Sequence, residues 1–329
     1  MQRVLCPVLI GREQELGALE DALLGANRGQ GQVVLLSGDA GMGKTRLSTE
    51  LQRRAHQLGM KVLWGGCSEA ELALPYLPFL EAIGNYLAGA DLDQVRDRLG
   101  PIRRELGHLF PQLDPEAGSP DADTMNGKLR LFEAILALLA IPTTAGGLLL
   151  VIEDLHWADG STRELLDYLT RRLRSSRILV VCTYRSDEMH RKHPLLPMVQ
   201  SWRRSSAATI VELDPLPSEA VARMVRAIFD IEDVREDTRD FLHERSEGNP
   251  FVLEEVLKAA LDRGDIFRDE SGWTRKSLSE IRLPESVRDT ILTRVARLTD
   301  RDLEVLRAAA VLGNSFPYWA LVALSLIHI

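Results

Sequence analysis

Five short runs of apolar residues recur along the chain, each bounded by glycine or polar residues. They are "QVVLLSG" at 32–38, "KVLWGGC" at 61–67, "GLLLVIED" at 147–154, "RILVVCTYR" at 177–185 and "ATIVEL" at 208–213. Short continuous runs without apolar–polar alternation suit strands buried on both faces of a sheet. Helical periodicity separates them. The clearest helix starts inside the glycine-rich stretch after the first run and continues through "KTRLSTELQRRAHQLG". Strands alternating with helices predict an α/β fold with a parallel five-stranded sheet covered on both faces.

The texture changes after Pro217. "SEAVARMVRAIF", "DTRDFLHERSEG" and "PFVLEEVLKAALDRG" each carry a helical period. "IFRDESGWTRK" (266–276) reads as a β-hairpin with Gly272 near its turn. "PESVRDTILTRVARL" and "DRDLEVLRAAAVLG" predict two further helices, and no internal repeat is visible. The Pro-, Gly- and Asp-rich segment 111–127 reads as an exposed loop.

Composition adds exclusions. The 329 residues suffice for roughly two or three domains. With 45% hydrophobic and 27% charged residues the chain suits a globular protein, expected in the cytoplasm. A net charge of −8 argues against a surface built to coat nucleic acid. Cys6, Cys67 and Cys182 follow no metal-ligand spacing and read as free thiols. The amino terminus lacks the apolar core of a signal peptide. The uncharged stretch 134–152 is long enough to suggest a membrane span, but its "PTTAGG" divides it into a helix end, a turn and a buried strand.

The chemistry concentrates at the ends of these runs. Gly38-Asp39-Ala40-Gly41-Met42-Gly43-Lys44-Thr45 matches G-x-x-x-x-G-K-[ST] in full. Glycines let successive backbone N–H groups turn inward around phosphates, and the following helix adds its positive end. Lys44 should reach the β- and γ-phosphates and Thr45 should hold Mg²⁺, with Gly38, Gly41, Gly43 and Arg46 completing the set. Glu153 and Asp154 close an apolar run, at the carboxyl end of a strand, where ligands bind in open α/β sheets. One carboxylate should hold Mg²⁺, the other orient the attacking water. Trp157 suits packing better than catalysis. Thr183 and Arg185 end the fourth run, where a guanidinium can meet a γ-phosphate. In "EGNPF", Gly248 suits a left-handed helix end and Asn249-Pro250 the start of the next helix.

Together these residues resemble a family. "VLIGREQELGALEDAL" is similar to the Gly-Arg-Glu motif of STAND ATPases (signal-transduction ATPases with numerous domains). "GDAGMGKT", "LLLVIEDLHWAD", "VVCTYR" and "EGNPF" follow in that family's order. The likeness is to the ATPase module of large ATP-binding LuxR-type bacterial regulators. It implies a P-loop domain at 1–216, a helical lid at 217–265 and a winged-helix-like domain at 266–329, with 284–323 as the winged helix. It also implies that Ile10, Gly11 and Arg12 flank the adenine and that Pro250 touches the base. Glu153 and Asp154 become the Walker B pair, with the metal on Thr45 and Glu153, and Arg185 the first sensor. Two positions depart: Glu153 stands where many relatives carry Asp, and Gly66 where many carry Arg. The function implied is a slowly hydrolysing ATPase switch. ADP holds it closed, while ATP with an inducer opens a self-associating state.

Two rivals remain at this level. A small-molecule kinase needs an arginine-rich lid, for which only 171–177 and 202–206 are candidates. A DNA-binding ATPase needs a basic winged helix, but Arg288, Arg294, Arg297, Arg301 and Arg307 are interleaved with Asp289, Asp300, Asp302 and Glu304. No membrane partner and no direct DNA binding are expected. The chain also reads as a fragment: its last six residues, "LSLIHI" at 324–329, match a translated sequencing adapter.

Overall fold

The computed structural model describes residues 5–69, 74–116, 125–144, 146–269, 272–276, 295, 300–312 and 321. Contacts divide the chain into a sheet unit, Gln14–Asp39 with Lys44–Glu212, and a helical unit, Met1–Glu13 with Ala40–Gly43 and Leu213–Ile329.

In the sheet unit the five runs form β1 (Gln32–Gly38), β2 (Lys61–Gly66), β3 (Leu148–Glu153), β4 (Ile178–Arg185) and β5 (Thr209–Glu212). All pairings are parallel, in the order β2-β3-β4-β1-β5. Val33–Leu36 of β1 and Leu148–Ile152 of β3 are fully buried, which explains why their sequences are apolar at every position. The register sets Gly38 opposite Arg185 and Gly66 opposite Glu153, so β1, β3 and β4 end at one edge of the sheet.

The helices are α1 (Glu13–Asn27), α2 (Lys44–Gln57), α3 (Leu77–Ala88), α4 (Leu92–Leu99), α5 (Met125–Ala140), α6 (Gly160–Arg172) and α7 (Leu196–Ser205). Local chemistry fixes their starts. Asp91 caps α4 by accepting from the backbone N–H of Asp93 and Gln94, and Asp159 caps α6 through Ser161 and Thr162. Gly65 admits α3 against β2, because a Cβ there would lie 1.9 Å from the Pro78 carbonyl oxygen. The uncharged stretch 134–152 resolves into the end of α5, a 3₁₀ turn at Ile141–Thr144 and β3. Among the described residues no helix is long and apolar enough to cross a membrane. The three cysteines are free thiols, and Cys6 and Cys182 are buried.

The loop expected at 111–127 is corrected in two places. Its last residues belong to α5, which starts at Met125, and Leu113 is 1% exposed. Leu113 donates its N–H to the Phe110 carbonyl at 2.9 Å and anchors that turn in the core. A single apolar residue among polar ones carries no period, so burial could not be read there.

The helical unit contains α8 (Ser218–Phe229), α9 (Glu236–Ser246), α10 (Pro250–Asp262), the hairpin β6 (Ile266–Asp269) and β7 (Gly272–Arg275), and α11 (Asp300–Leu312). Its core joins Val221, Met224, Val225, Phe229, Leu242, Leu253 and Leu257. The hairpin pairs antiparallel, Ile266 opposite Arg275, and seats Trp273 edge-on to Phe229 at 4.8 Å. The Gly-Arg-Glu segment groups with this unit, whereas the sequence boundaries put it with the sheet. Gly11, at φ +69°, packs so closely that a Cβ would lie 2.8 Å from Ala220 Cβ and 2.9 Å from Leu216 Cδ2. The Cys6 N–H donates to Glu254 Oε1 at 3.0 Å, and Arg223 pairs with Glu13 at 2.8 Å. The expected helix at 284–298, apart from Val295, and the tail 324–329 lie outside the described residues, as does most of the winged helix expected at 284–323.

Candidate functional site

In the sheet unit, β1 ends at Gly38 and α2 begins at Lys44, so the glycine-rich loop joins a buried strand to a helix start. The first turn of α2 holds no acidic residue. Its N–H groups and dipole therefore face no competing carboxylate of their own turn. Lys44 is 8% exposed, and its Nζ donates to the carbonyls of Gly38 at 2.7 Å and Asp39 at 2.9 Å. Burial pushes its pKa below the usual lysine range and the nearby Arg185 adds to the shift, while Asp154, Asp187 and Asp39 oppose it. The Ser186 hydroxyl donates to Asp39 Oδ1 at 2.7 Å, tying the loop after β4 to the end of β1.

The acidic pair ends β3 with its two members in different environments. Glu153 Oε2 accepts from Trp64 Nε1 at 3.1 Å, which orients its carboxylate from the neighbouring strand β2. Asp154 sits in the left-handed region at φ 55° and donates its N–H to Thr183 Oγ1 at 3.1 Å. Asp tolerates this region better than most residues, and strained backbone of this kind clusters at functional sites. Gly66 donates its N–H to Glu81 Oε2 at 2.9 Å.

Arg185, at the end of β4, gives Nη1 to Glu188 Oε1 at 2.7 Å and brings Nε to 3.9 Å from Asp154 Oδ1. His156 lies beneath them with a fully buried side chain, its Nε2 3.4 Å from Glu188 Oε2 and 3.9 Å from Asp154 Oδ1. Burial lowers its pKa to about 4, so the ring is neutral at pH 7; Asp154 opposes the shift, and Arg185 and Lys44 reinforce it. Trp157 packs on this ring at 5.2 Å, as its packing role predicted.

The helical unit holds the other sequence-selected residues. Arg12 is 5% exposed and donates Nη2 to the Met42 carbonyl at 3.3 Å, and Ile10 packs partly buried against the core. Pro250 is the first residue of α10. Asn249 caps that helix, accepting from Phe251 N and Val252 N, and its Nδ2 also donates to the Ala40 carbonyl at 2.8 Å. Gly248 takes the expected left-handed conformation at φ 71°, preceded by Glu247 at φ 50°.

Gly38, Lys44, Glu153, Asp154 and Arg185, all expected from the sequence, lie at one edge of the sheet. Trp64, Glu188 and Ser186 carry no such signal in the sequence, and Asn249 carries only that of a helix cap. The arginines of 171–177 and 202–206 fall in the segments that lead into β4 and β5. In a parallel sheet that is the edge opposite the loop, so no kinase lid forms there. Among the described residues no three His, Cys, Asp or Glu side chains converge as a metal cage. Mg²⁺ at nucleotide sites takes one or two carboxylates with phosphate oxygens and water, which the Glu153–Asp154 pair fits.

A parallel sheet whose first strand leads through G-x-x-x-x-G-K-T into a helix, with a carboxylate pair ending β3, defines a P-loop NTPase fold. Residues 8–181, more than half of the chain, match the AAA ATPase domain, and the chain belongs to that family. It is 25% identical over 334 residues to an uncharacterized protein of Rhizobium meliloti (strain 1021), a match covering 93% of this chain and 30% of that protein. The chain therefore spans less than a third of that relative's length. Among solved structures it is similar to the Aeropyrum pernix ORC1 protein in complex with DNA, with TM-score 0.50 and 18% identity over 99% of this chain and 81% of that one. It is also similar to AMPPCP-bound DnaA from Aquifex aeolicus, with TM-score 0.43 and 15% identity over 78% and 63% of the two chains.

Proposed function

We propose that the chain is an ATP-binding, slowly hydrolysing switch module of the STAND type, serving a LuxR-type bacterial transcriptional regulator. The observation that carries the nucleotide reading is the buried Lys44 ammonium at the head of α2, at the same sheet edge as Glu153, Asp154 and Arg185. An ammonium has three donors, and two rest on the Gly38 and Asp39 carbonyls, so Lys44 is held in place for the β- and γ-phosphates. Arg185 meets the γ-phosphate as it leaves Glu188. Asp154 aims the attacking water. Thr45 and Glu153 hold Mg²⁺, which when bound neutralises charge on the phosphate oxygens. Gly38, Gly41, Gly43 and Arg46 complete the phosphate cradle, and Ile10, Gly11, Arg12 and Pro250 serve the base.

The switch reading extends the family likeness. ADP favours a closed state, and ATP with an inducer favours an open, self-associating one. Moving a two-state protein from 1:99 to 99:1 takes about 5.5 kcal/mol of differential binding. Contacts from Lys44, Arg185 and the metal contribute part of this and an inducer the rest. The ORC1 protein it resembles was solved with DNA, but the mixed charge at 288–307 favours no direct DNA binding by this chain.

A thermal-unfolding titration with Mg-ADP and Mg-ATP tests the reading. Ligand at 100 times its dissociation constant stabilises the folded state by about 2.7 kcal/mol. Both nucleotides should raise the melting temperature, Lys44→Ala should abolish the rise, and phosphate release from ATP should be slow but above background. An unchanged melting temperature at millimolar nucleotide contradicts it. A salt-dependent gel shift of labelled duplex would overturn the exclusion of DNA.

A further inference from the structure

Glu188 shares its carboxylate between two partners of different kinds. Oε1 accepts from Arg185 Nη1 at 2.7 Å, and Oε2 lies 3.4 Å from His156 Nε2. The first is a charge-assisted hydrogen bond; the second is about half an ångström too long to be a good one. The His156 side chain is fully buried, and neither ring nitrogen has a hydrogen-bond partner among the described residues. A buried N–H without a partner is costly, so native structures rarely keep one without a use. Asp154 Oδ1 stands 3.9 Å from both His156 Nε2 and Arg185 Nε, closing a four-residue cluster at the ends of β3 and β4. Neutral at pH 7, the ring retains one N–H to donate.

We propose that Glu188 decides how readily Arg185 turns to the terminal phosphate of ATP, by exchanging its hydrogen bond from Arg185 to His156. The inference rests on the reading above that Arg185 senses that phosphate. Glu188 and His156 are positioning residues: neither touches the nucleotide. With Arg185 on Glu188, the guanidinium is neutralised by a carboxylate that imitates a phosphate oxygen. When ATP takes the guanidinium, Glu188 would be left with a half-buried charge and no donor. His156 supplies one after a small movement of the carboxylate, so Glu188 keeps a donor for its charge throughout. ADP has no γ-phosphate and offers no such exchange. The cluster therefore sets the preference for ATP over ADP without adding a contact to either.

The consequence is a pair of opposite effects from adjacent side chains. Glu188→Gln removes the competing charge and frees Arg185, so the ratio of ATP to ADP affinity should rise roughly five- to tenfold. His156→Phe removes the receiving donor and holds Glu188 on Arg185, so the ratio should fall by a similar factor. In the double variant the His156 substitution should have no further effect, because the neutral amide at position 188 carries no charge that needs a donor. Glu188→Asp, whose shorter carboxylate cannot keep the 2.7 Å contact, should raise the ratio partway.

The experiment is competition of unlabelled ATP and ADP against a fluorescent ADP analogue on the full chain with Mg²⁺, with thermal unfolding of each variant alongside. Arg185→Ala is measured first, and it should bring the two affinities together. If it leaves the ratio untouched, Arg185 is not the phosphate sensor, and the reading and this inference fall together. If it acts but Glu188→Gln and Glu188→Asp leave the ratio at the parent value, the inference alone is overturned. It is equally overturned if Glu188→Gln and His156→Phe move the ratio in the same direction, as a merely structural role predicts. Glu188 is partly exposed on a loop, so its variants keep the test decisive even if His156→Phe does not fold.

Discussion

Gly41 and Gly43 differ by one test that the backbone alone does not reveal. Both are left-handed, at φ +83° and +94°. An alanine at either costs about 1–2 kcal/mol in that region, offset by about 0.4–1 kcal/mol from the stiffer unfolded chain. Their surroundings separate them. A Cβ on Gly41 would lie 2.7 Å from Asn249 Oδ1 and 2.9 Å from Phe251 Cβ. Neither neighbour yields easily: Oδ1 accepts from two N–H groups of α10, Nδ2 is committed to Ala40, and Phe251 Cβ is fixed to backbone. A Cβ on Gly43 meets no heavy atom within 4 Å. Gly41→Ala should therefore cost about 1–3 kcal/mol more than Gly43→Ala, the usual penalty for overpacking. In unfolding without nucleotide, Gly41→Ala should melt several degrees lower than Gly43→Ala. The order reverses for ligand. Gly43 precedes Lys44, so under the proposed function its Cβ crowds the phosphates, and Gly43→Ala should weaken ADP binding at least about tenfold, or 1.4 kcal/mol. Equal melting temperatures for the two variants, or parent-like ADP affinity in Gly43→Ala, would refute the reasoning.

Asp154→Asn should keep nucleotide binding and slow phosphate release more than Glu153→Asp does, because Glu→Asp preserves the charge; parent-rate turnover by Asp154→Asn would reverse the two roles. The folded-state pKa of His156, about 4, lies below its unfolded value near 6.5, so its contribution to stability is complete above pH 6.5 and is lost as pH falls toward 4. The loss should approach about 3 kcal/mol, read as the difference between parent and His156→Phe in chemical denaturation across that window; parallel curves would remove it. Leu113→Ala should cost about 2–5 kcal/mol despite its Pro-, Gly- and Asp-rich surroundings, and a loss below about 0.5 kcal/mol would return it to the surface.

What could be read in advance was local. The inner strands β1, β3 and β4 are apolar at nearly every position because both their faces are covered, whereas the edge strands β2 and β5 keep exposed polar residues such as Lys61, Thr209 and Glu212. The phosphate loop and the Glu153–Asp154 pair were legible because their chemistry lies in adjacent residues. The order β2-β3-β4-β1-β5 was not, since periodicity encodes which face is buried and not which strand is the neighbour. The contacts that periodicity does not show act across the chain. Trp64 reaches Glu153 over 89 positions, and Asn249 reaches Ala40 over 209. Glu188 is only three residues from Arg185, yet "RSDE" looks like an ordinary charged loop until His156 is found beside it.

Whether the Gly38–Thr45 loop holds a nucleotide is measured by calorimetric titration of the intact chain with Mg-ADP. One saturable site per chain is expected, closely matched in Glu153→Asp and absent in Lys44→Ala of unchanged circular dichroism. A folded parent protein that takes up no ADP at millimolar concentration, or a folded Lys44→Ala that binds as the parent does, would contradict it.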